Sequence, residues 1–346
     1  MQVGLHFKRC GDGTATMKKA MCAKPGVVVA ALCCGVSIHA ARPAIAQSGY
    51  PSKSVQIVVP YVAGGGADVV VRALAQQLVE TWGKNVAIDN RAGASGMIGT
   101  EFVAKAEPDG HTLLGQTSGY PATAAIRRKL QFDPANSLVA VAMIGKAPLI
   151  LALHPSVPAR SIKELVVLAQ RNPGKLNYSS AGTGGNNHFA ASLFASTTGI
   201  KLTHVPYKGV APAAIALVSG EVEILFASSP AISPQLKAGR LRALGVTSLQ
   251  PSPLLPELPA IAQSGVPGYS YELWWALFAP AGIAPDRVSF INAAVNKILA
   301  GAEMKKFLTN EAAEPWPRSV AQLSDLLPKE IVRYRKIAQT AGIELE

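Results

Sequence analysis

Two glycine-rich segments have the residue types and spacing that could bind an anion. Ala63–Asp68 and Ser180–His188 each follow a short apolar stretch and precede a helical pattern, which gives the order strand, glycine turn, helix. Backbone N–H groups at a helix N-terminus have no intrahelical acceptor and carry the positive end of the helix dipole. Glycine lets a ligand approach this backbone closely. The segments therefore predict amide donors for a small carboxylate, although glycine also serves in ordinary tight turns between strand and helix.

The candidate ligand-binding residues in these segments lie around the predicted helix starts. They are Ala63, Gly64, Gly65, Gly66, Asp68, Thr183, Gly184, Gly185, Asn186 and His188. Asp68 could contact the ligand, but an aspartate at a helix start more often caps the helix. His188 also opens a helix and could serve there as a packed or capping residue.

Further candidates follow other predicted strands, where an open α/β sheet presents polar groups to a ligand. These residues are Gln116, Thr117, Ser118, Tyr207 and Ser228. Trp274 could form a wall of the same cleft, although a tryptophan in an apolar run is almost as often a core residue. We expect these side chains to supplement the backbone donors.

The composition is that of a folded protein with a sizeable core. The chain has 346 residues, of which 49% are apolar and 16% are charged, and these values do not fit a disordered chain. The formal net charge is +12, but six basic residues and one acidic residue lie before Gln47, which leaves +7 for the rest. Because no run of Lys and Arg with interleaved aromatic residues follows, nucleic acid is not an expected partner.

Residues 1–46 have the pattern of an export signal. The basic stretch Lys18–Lys24 precedes the apolar run Gly26–Ile38, and Ala44–Ala46 fits a signal-peptidase site. The apolar run is too short to cross a bilayer. We therefore predict a periplasmic protein that begins near Gln47. Such a mature chain would contain no disulfide and no cysteine ligand, because the cysteines all lie in the signal: Cys10, Cys22, Cys33 and Cys34.

The remaining sequence alternates short apolar strands with helical patterns, which predicts an α/β architecture with largely parallel sheets. In Val70–Leu78 the apolar residues recur at four-residue spacing, and this predicts a helix that ends near Gly83. Ser161 and Ser319 each begin a capping box that opens a further helix, and the last hundred residues are predicted to be mostly helical. The predicted strands are Val55–Val62, Val86–Ile88, His111–Gly115, Leu149–Leu153, Leu176–Ser179, Thr203–Pro206, Val222–Phe226 and Leu241–Val246.

Six motifs follow one another along the chain after the leader. They are Val59–Asp68, Asp89–Gly99, Pro108–Leu114, Val205–Pro212, Lys237–Leu244 and Trp274–Pro280. In these stretches, and over nearly its whole mature length, the chain resembles the receptors of tripartite tricarboxylate transporters, also called Bug receptors. The resemblance implies a two-lobed periplasmic-binding-protein type II fold. It further implies one discontinuous lobe, 47–147 with 271–346, and a second lobe, 148–270.

The same resemblance implies a function. It implies a monomeric receptor that delivers a small organic acid to membrane transporter subunits, with no cofactor and no metal. The two glycine-rich segments would lie in opposite lobes, so that each covers one side of the cleft. Ala227 departs from the family pattern, because many relatives have an acidic residue there. Without that acid the site has less means of holding an ammonium group, which favours a plain carboxylate over an amino acid.

Enzymatic alternatives have little support in the sequence, and no catalytic residue is predicted. The histidines after the leader lack the three- or four-residue spacing of a helical metal pair. Neither Gly93–Gly96 nor Gln116–Gly119 forms the Gly-x-Ser-x-Gly motif of a serine hydrolase, so a periplasmic hydrolase is the weaker alternative. A receptor that presents its ligand to a membrane sensor stays open, because transport and sensing both need a closed liganded form.

Overall fold

The computed structural model describes residues 49–345. The predicted export signal, its cleavage after Ala46 and the four cysteines lie outside the described residues.

The strands of the described chain are short, with two longer exceptions that cross the molecule. In chain order they are β1 Val55–Val59, β2 Val86–Asn90, β3 Thr112–Thr117, β4 Leu138–Pro148, β5 Ile150–Leu153, β6 Asn177–Ser180, β7 Thr203–Pro206, β8 Ile224–Ala227, β9 Arg242–Val246, β10 Glu272–Pro280 and β11 Glu314–Pro315.

Helices separate most of these strands. They are α1 Gly66–Trp82, α2 Met97–Ala104, α3 Gly119–Ile126, α4 Ile162–Arg171, α5 Asn186–Thr198, α6 Val210–Ser219, α7 Ser229–Lys237, α8 Pro285–Ala300, α9 Ala302–Asn310, α10 Val320–Leu323 and α11 Leu326–Thr340. Short 3-10 turns lie at Ala94–Gly96 and Ile261–Gln263.

The strands form two sheets. One has the order β11-β4-β10-β3-β1-β2, and the other has the order β7-β6-β8-β5-β9. We call the first sheet with its helices lobe 1 and the second with its helices lobe 2. In lobe 1, β1 pairs in parallel with β2 and β3; in lobe 2, β6 pairs in parallel with β7 and β8.

The expectation of largely parallel sheets is wrong, because both sheets are mixed. Strand β10 runs antiparallel to β3 and β4, and β5 runs antiparallel to β8 and β9. The physical reason is the chain path. The chain leaves lobe 1 along β4 and returns to it along β10, so β10 inserts between β4 and β3 and runs against the direction of both.

Two crossing segments join the lobes, and Thr247 ties them together. The first crossing lies between β4 and β5 at Leu149, and the second runs from β9 to β10. Leu149 N–H donates to Thr247 Oγ1 at 2.7 Å, and that hydroxyl donates to Tyr271 O at 2.6 Å. Backbone bonds from Thr247 N–H to Leu149 O and from Tyr271 N–H to Thr247 O complete the junction. Because Thr247 is fully buried, these bonds are shielded from water.

Several local predictions are confirmed. Helix α1 ends at Gly83, which adopts the left-handed conformation at φ 60°. At the start of α4 half of the predicted capping box forms: Ser161 Oγ accepts a hydrogen bond from Glu164 N–H, but the Glu164 carboxylate accepts from Arg160 N–H and not from Ser161 N–H. The capping box of Ser319 and Gln322 opens α10. Each is a local signal that acts within one turn of the chain.

The buried apolar residues are continuous between the lobes. The largest cluster includes Val70 and Leu74 of α1, Trp275 of β10 and Phe189 and Phe194 of α5. No helix within residues 49–345 is both long and apolar enough to cross a bilayer.

Candidate functional site

A cleft lies between the lobes at the carboxyl ends of their parallel strands. Open α/β sheets present ligand groups at this edge. The cleft leaves about 650 Å³ free of protein atoms, part of which is open to solvent. Its lining residues are Tyr61, Val62, Gly65, Gly66, Ala67, Ser95, Thr117, Leu149, Ala181, Gly185, Asn186, Asn187, Gly209, Val210, Ser228, Leu273 and Trp275.

Four helices begin at the cleft. The first residues of α1, α5 and α6 line it, and so does Ser228, the N-cap of α7. The N-caps of α1 and α5 have almost the same extended backbone, with φ/ψ of −75°/162° at Gly65 and −73°/167° at Gly185. The two helix starts therefore share the same local backbone conformation at the N-cap.

The backbone donors at these helix starts have no protein acceptor. Within residues 49–345, the N–H groups of Gly66, Ala67, Asn186, Asn187 and Val210 make no hydrogen bond, whereas the next turn is paired, as in Val69 N–H to Gly65 O. Such groups are satisfied by water or by a ligand. The cleft therefore has several amide donors available to one small acceptor.

The charge of the cleft comes from helix dipoles. None of the lining residues has an ionised side chain. Each helix N-terminus carries roughly half a positive elementary charge, so four of them make the cleft favourable for an anion without any Lys or Arg. The same arrangement gives an ammonium group no carboxylate to pair with. Chemically, the cleft suits a small, acceptor-rich anion.

The side chain of Asn186 makes three hydrogen bonds at the boundary between the lobes. Its Nδ2 donates to Thr117 Oγ1 at 3.1 Å, and its Oδ1 accepts from Ser118 Oγ at 2.8 Å and from Tyr271 OH at 2.7 Å. Thr117 and Ser118 lie at the end of β3 in lobe 1, whereas Asn186 opens α5 in lobe 2. The amide therefore fastens one lobe to the other at the edge of the site.

Tyr61 is fixed by a buried polar group beneath the cleft. Its hydroxyl donates to Gln116 Oε1 at 2.7 Å and lies 3.2 Å from Thr117 Oγ1. Gln116 Nε2 in turn donates to Thr100 Oγ1 at 3.1 Å. Burial raises the pKa of Tyr61 to about 12, so the phenol stays neutral at physiological pH. Gln116 itself is fully buried and holds Tyr61 rather than lining the cleft.

Two further hydrogen bonds join the lobes beside the second glycine-rich segment. Ser95 Oγ donates to Thr183 O at 2.7 Å, and Thr123 Oγ1 donates to Gly184 O at 3.0 Å. Gly182 has φ +125°, and a Cβ there would lie 2.6 Å from Ser95 Oγ. This position therefore requires glycine both for its backbone conformation and for the close approach of the lobes.

Asp68 organises the first glycine-rich segment and does not line the cleft. Its carboxylate accepts from Gly64 N–H at 3.0 Å, from Asn90 Nδ2 at 2.9 Å and from Arg72. Burial alone would raise the pKa of Asp68, but these hydrogen bonds and the charge of Arg72 outweigh it and hold the pKa below its usual range. Asp68 is thus ionised at neutral pH and orders the start of α1.

His188 supports the second glycine-rich segment from below. Its Nδ1 accepts from Gly184 N–H at 3.1 Å, and its ring stacks on His204 with centroids 4.1 Å apart. Burial, followed by the charge of His204, lowers the pKa of His188 to about 3. The ring is therefore neutral at physiological pH, and because Nδ1 is an acceptor the proton lies on Nε2.

We expect His188 to make the protein labile to acid. A histidine whose pKa is lower in the folded protein contributes stability that is complete above its unfolded pKa of about 6.5 and declines as the pH falls towards the folded value. Between pH 7 and pH 4 this amounts to about 3 kcal/mol of unfolding free energy. Thermal denaturation at both pH values should show a smaller pH-dependent loss for His188→Gln than for the unchanged protein. His154→Gln serves as the control, and an equal loss in all three proteins would contradict this role.

The tryptophan in the cleft is Trp275, not Trp274. Successive residues of β10 point to opposite faces, and Leu273 and Trp275 line the cleft. The side chain of Trp274 lies on the other face, where it is buried with Phe278 and donates through Nε1 to Glu330 at 3.2 Å. The expectation that Trp274 forms a wall of the cleft therefore chose the neighbour of the lining tryptophan, whose side chain lies on the opposite face of β10.

The predicted residues fall into two groups in the structure. Six line the cleft: Gly65, Gly66, Thr117, Gly185, Asn186 and Ser228. The others lie beside or beneath that lining: Ala63, Gly64, Asp68, Gln116, Ser118, Thr183, Gly184, His188, Tyr207 and Trp274. Ala63 and Gly64 are exposed, and Tyr207 is half-buried.

Other lining residues were not among the candidate ligand-binding residues, although Ala67, Ala181 and Asn187 lie within the two glycine-rich segments. They are Tyr61, Val62, Ala67, Ser95, Leu149, Ala181, Asn187, Gly209, Val210, Leu273 and Trp275. Several of them lie inside the six motifs or next to a predicted donor. Tyr61 and Val62 were placed inside the predicted strand Val55–Val62, whereas β1 ends at Val59, so the expectation for residues that follow a strand was not applied to them.

The described residues contain no group of three or more His, Cys, Asp or Glu side chains placed to hold a metal ion. The polar groups of the cleft lining are backbone amides and the side chains of Tyr61, Ser95, Thr117, Asn186, Asn187 and Ser228, with the indole of Trp275 beside them.

The family of the chain is decided by its sequence. The model of the tripartite tricarboxylate transporter family receptor, TctC, matches residues 70–343. The chain belongs to this family. The receptor is thus a member of a group of solute-binding proteins rather than of an enzyme family.

Solved structures resemble the receptor over nearly their whole length. Rpa4515 of R. palustris, solved with adipate, is 36% identical, has a TM-score of 0.82 and is matched over 85% of this chain and 99% of its own. MatC of Rhodopseudomonas palustris, solved with bound malate, is 30% identical with a TM-score of 0.78, over 83% and 99%. The periplasmic binding protein BugD is 29% identical with a TM-score of 0.80, over 85% and 99%. The predicted two-lobed, type II periplasmic-binding-protein fold is confirmed by the two sheets and these likenesses.

Proposed function

We propose that this receptor binds a small carboxylate in the cleft through backbone amides of both lobes. The observation that carries the proposal is the set of unpaired N–H groups at the starts of α1, α5 and α6, in a cleft without an ionised side chain. Hydrogen bonds from backbone N–H groups to an ionised acceptor are stronger than those to a neutral one. A carboxylate gains from both the amides and the helix dipoles, whereas a neutral solute gains only from the amides.

The similar solved proteins support this ligand class. One of them was solved with adipate and another with bound malate. In this receptor Leu149, Leu273 and Trp275 supply apolar surface to the cleft lining, and we call these three residues the floor. Such a floor suits the hydrocarbon part of an organic acid, while the amides take its carboxylate oxygens.

Binding would be coupled to closure of the lobes. We place the hinge at the junction of Leu149, Thr247 and Tyr271, so that 47–147 with 271–346 and 148–270 move as the two bodies. Asn186 and Ser95 bond across the cleft, and these contacts would separate when the lobes open. A ligand that contacts both lobes stabilises the closed form by its differential affinity.

The closed, liganded receptor would then be recognised by membrane partners. We propose that it is a periplasmic monomer exported by residues 1–46 and that it delivers its acid to the membrane subunits of a tripartite tricarboxylate-type transporter. In this role it performs no catalysis and uses no cofactor. The family assignment supports the transporter partner, and the likeness to a periplasmic binding protein supports the compartment.

A thermal-shift screen of the purified protein tests the proposal. The panel contains adipate, malate, other organic acids, aromatic carboxylates and amino acids, each added after unfolding and refolding to remove bound ligand. A ligand at a hundredfold its Kd adds roughly 2.7 kcal/mol of stability. We expect a selective rise in Tm with one class of carboxylate. No rise with any acid, or a rise only with cationic or neutral solutes, would contradict the proposal.

A further inference from the structure

One buried donor in the cleft has no partner. Trp275 has no exposed surface, and within residues 49–345 its Nε1 makes no hydrogen bond. A buried donor without an acceptor is costly, and such groups are rare in folded proteins. A hydrogen-bond acceptor for this indole N–H would remove that cost, and the described protein atoms do not supply one.

The position of Trp275 places this donor at the site. The residue lines the cleft together with Leu149 and Leu273, and in the sheet it lies opposite Thr117. Thr117 is the residue that Asn186 bonds from the other lobe. Trp275 thus lies at the same edge of the cleft as the hydrogen bond between Asn186 and Thr117. It is part of strand β10 and not of a loop.

The chemistry of the indole restricts what it can bind. Nε1–H is a donor and has no acceptor capacity, so its partner must be an oxygen or another acceptor. An ammonium group at this point would leave the donor unpaired and would find no carboxylate among the lining residues. The aromatic ring beside the N–H is apolar and can pack against a hydrocarbon chain at the same time.

We propose that Trp275 Nε1–H donates a hydrogen bond to a carboxylate oxygen of the bound acid and that Trp275 is a specificity-determining residue of the receptor. This inference rests on the proposed function. Trp275 supplies a side-chain donor that no described protein atom accepts, beside the hydroxyl and amide side chains that also line the cleft. It selects an organic acid over an ammonium-bearing analogue at the position next to the floor of the cleft.

Trp275→Phe tests the proposal, because it keeps an aromatic ring and removes the N–H. Calorimetric titration with adipate, and with malate if malate gives the larger thermal shift, should show a Kd about tenfold to a hundredfold weaker than that of the unchanged protein. Trp82→Phe is a matched control. The Nε1 of Trp82 is also buried without a partner, but Trp82 packs against Tyr50 and Phe290 away from the cleft. A Kd for Trp275→Phe within twofold of the Trp82→Phe value would overturn the proposal.

A second readout needs no change at Trp275. The chain contains four tryptophans, so a ¹⁵N-labelled sample has four indole N–H resonances, and Phe variants of Trp82, Trp274 and Trp316 assign the remaining one to Trp275. We expect the acid to move the Trp275 resonance downfield while the Trp82 resonance stays in place. An unmoved Trp275 resonance in a protein that binds the acid would overturn the role of Trp275 alone. Absence of binding by the unchanged protein to every acid of the screen would overturn the proposed function together with this role.

Discussion

Replacing Gly66 by proline should weaken binding of the acid about tenfold to a hundredfold and leave α1 folded. Gly66 is the first residue of α1, a position where proline is well tolerated because its N–H has no intrahelical acceptor. The preceding Gly65 has the extended backbone that proline requires, with φ −75° and ψ 162°. The variant therefore removes one donor from the cleft, and a bond from such a donor to a charged acceptor is worth about 1.5–3 kcal/mol.

Gly66→Ala is the control for this experiment. A Cβ at residue 66 would lie 2.7 Å from Ser228 Oγ, so alanine and proline both introduce that contact, but only proline removes the N–H. The Kd for the acid should be weaker for Gly66→Pro than for Gly66→Ala by the stated factor. Equal Kd values for the two variants would show that steric contact, and not the lost amide, weakens binding.

Asn186→Ala is the second variant from which we expect a large effect. It removes three hydrogen bonds, to Thr117, Ser118 and Tyr271. Each contributes about 1 kcal/mol. If they form only when the lobes close, their loss weakens the closed complex by about a hundredfold in Kd. The change should come mainly from faster dissociation, which stopped-flow measurement of ligand release would detect.

Asn172→Ala provides the comparison for Asn186→Ala. The side chain of Asn172 makes one bond, from Nδ2 to Leu168 O, at the exposed end of α4. This control should bind and release the acid like the unchanged protein. If Asn186→Ala also did so, the bonds across the cleft would have no part in holding the liganded form.

Local signals in the sequence were enough to predict many elements of the fold. The four-residue spacing in Val70–Leu78 and the capping box at Ser161 act within a few residues, and α1 and α4 lie where they indicate. Strand β4 was not predicted, because Gly145, Lys146 and Pro148 interrupt its apolar pattern. Helix α3 was missed for a similar reason, since Gly119–Ile126 begins with glycine and contains proline. The antiparallel pairing of β10 in lobe 1 arises because the chain returns there from the other lobe. No pattern within a few residues of the sequence indicates this return.

In the candidate site, too, features set by neighbouring residues could be predicted, and features set by the packing of distant elements could not. The glycine turns at Gly65 and Gly185 could be identified, because strand, turn and helix are consecutive in the chain. Which residues of a turn reach the cleft depends on geometry: Gly184 N–H bonds to His188, whereas Gly185 lines the cleft. Trp274 and Trp275 could not be distinguished, because β10 is buried on both faces and its apolar run shows no alternation.

The most direct test of the central claim compares a carboxylate with an uncharged ligand of the same shape. The purified protein is titrated calorimetrically with the acid that gives the largest thermal shift and with its amide, in which each carboxylate is replaced by a carboxamide. Helix dipoles from four N-termini should favour the acid by about 3 kcal/mol in total, so we predict that it binds about a hundredfold tighter than the amide. Equal affinities for the acid and the amide would contradict the claim that the helix N-termini of this cleft select a carboxylate.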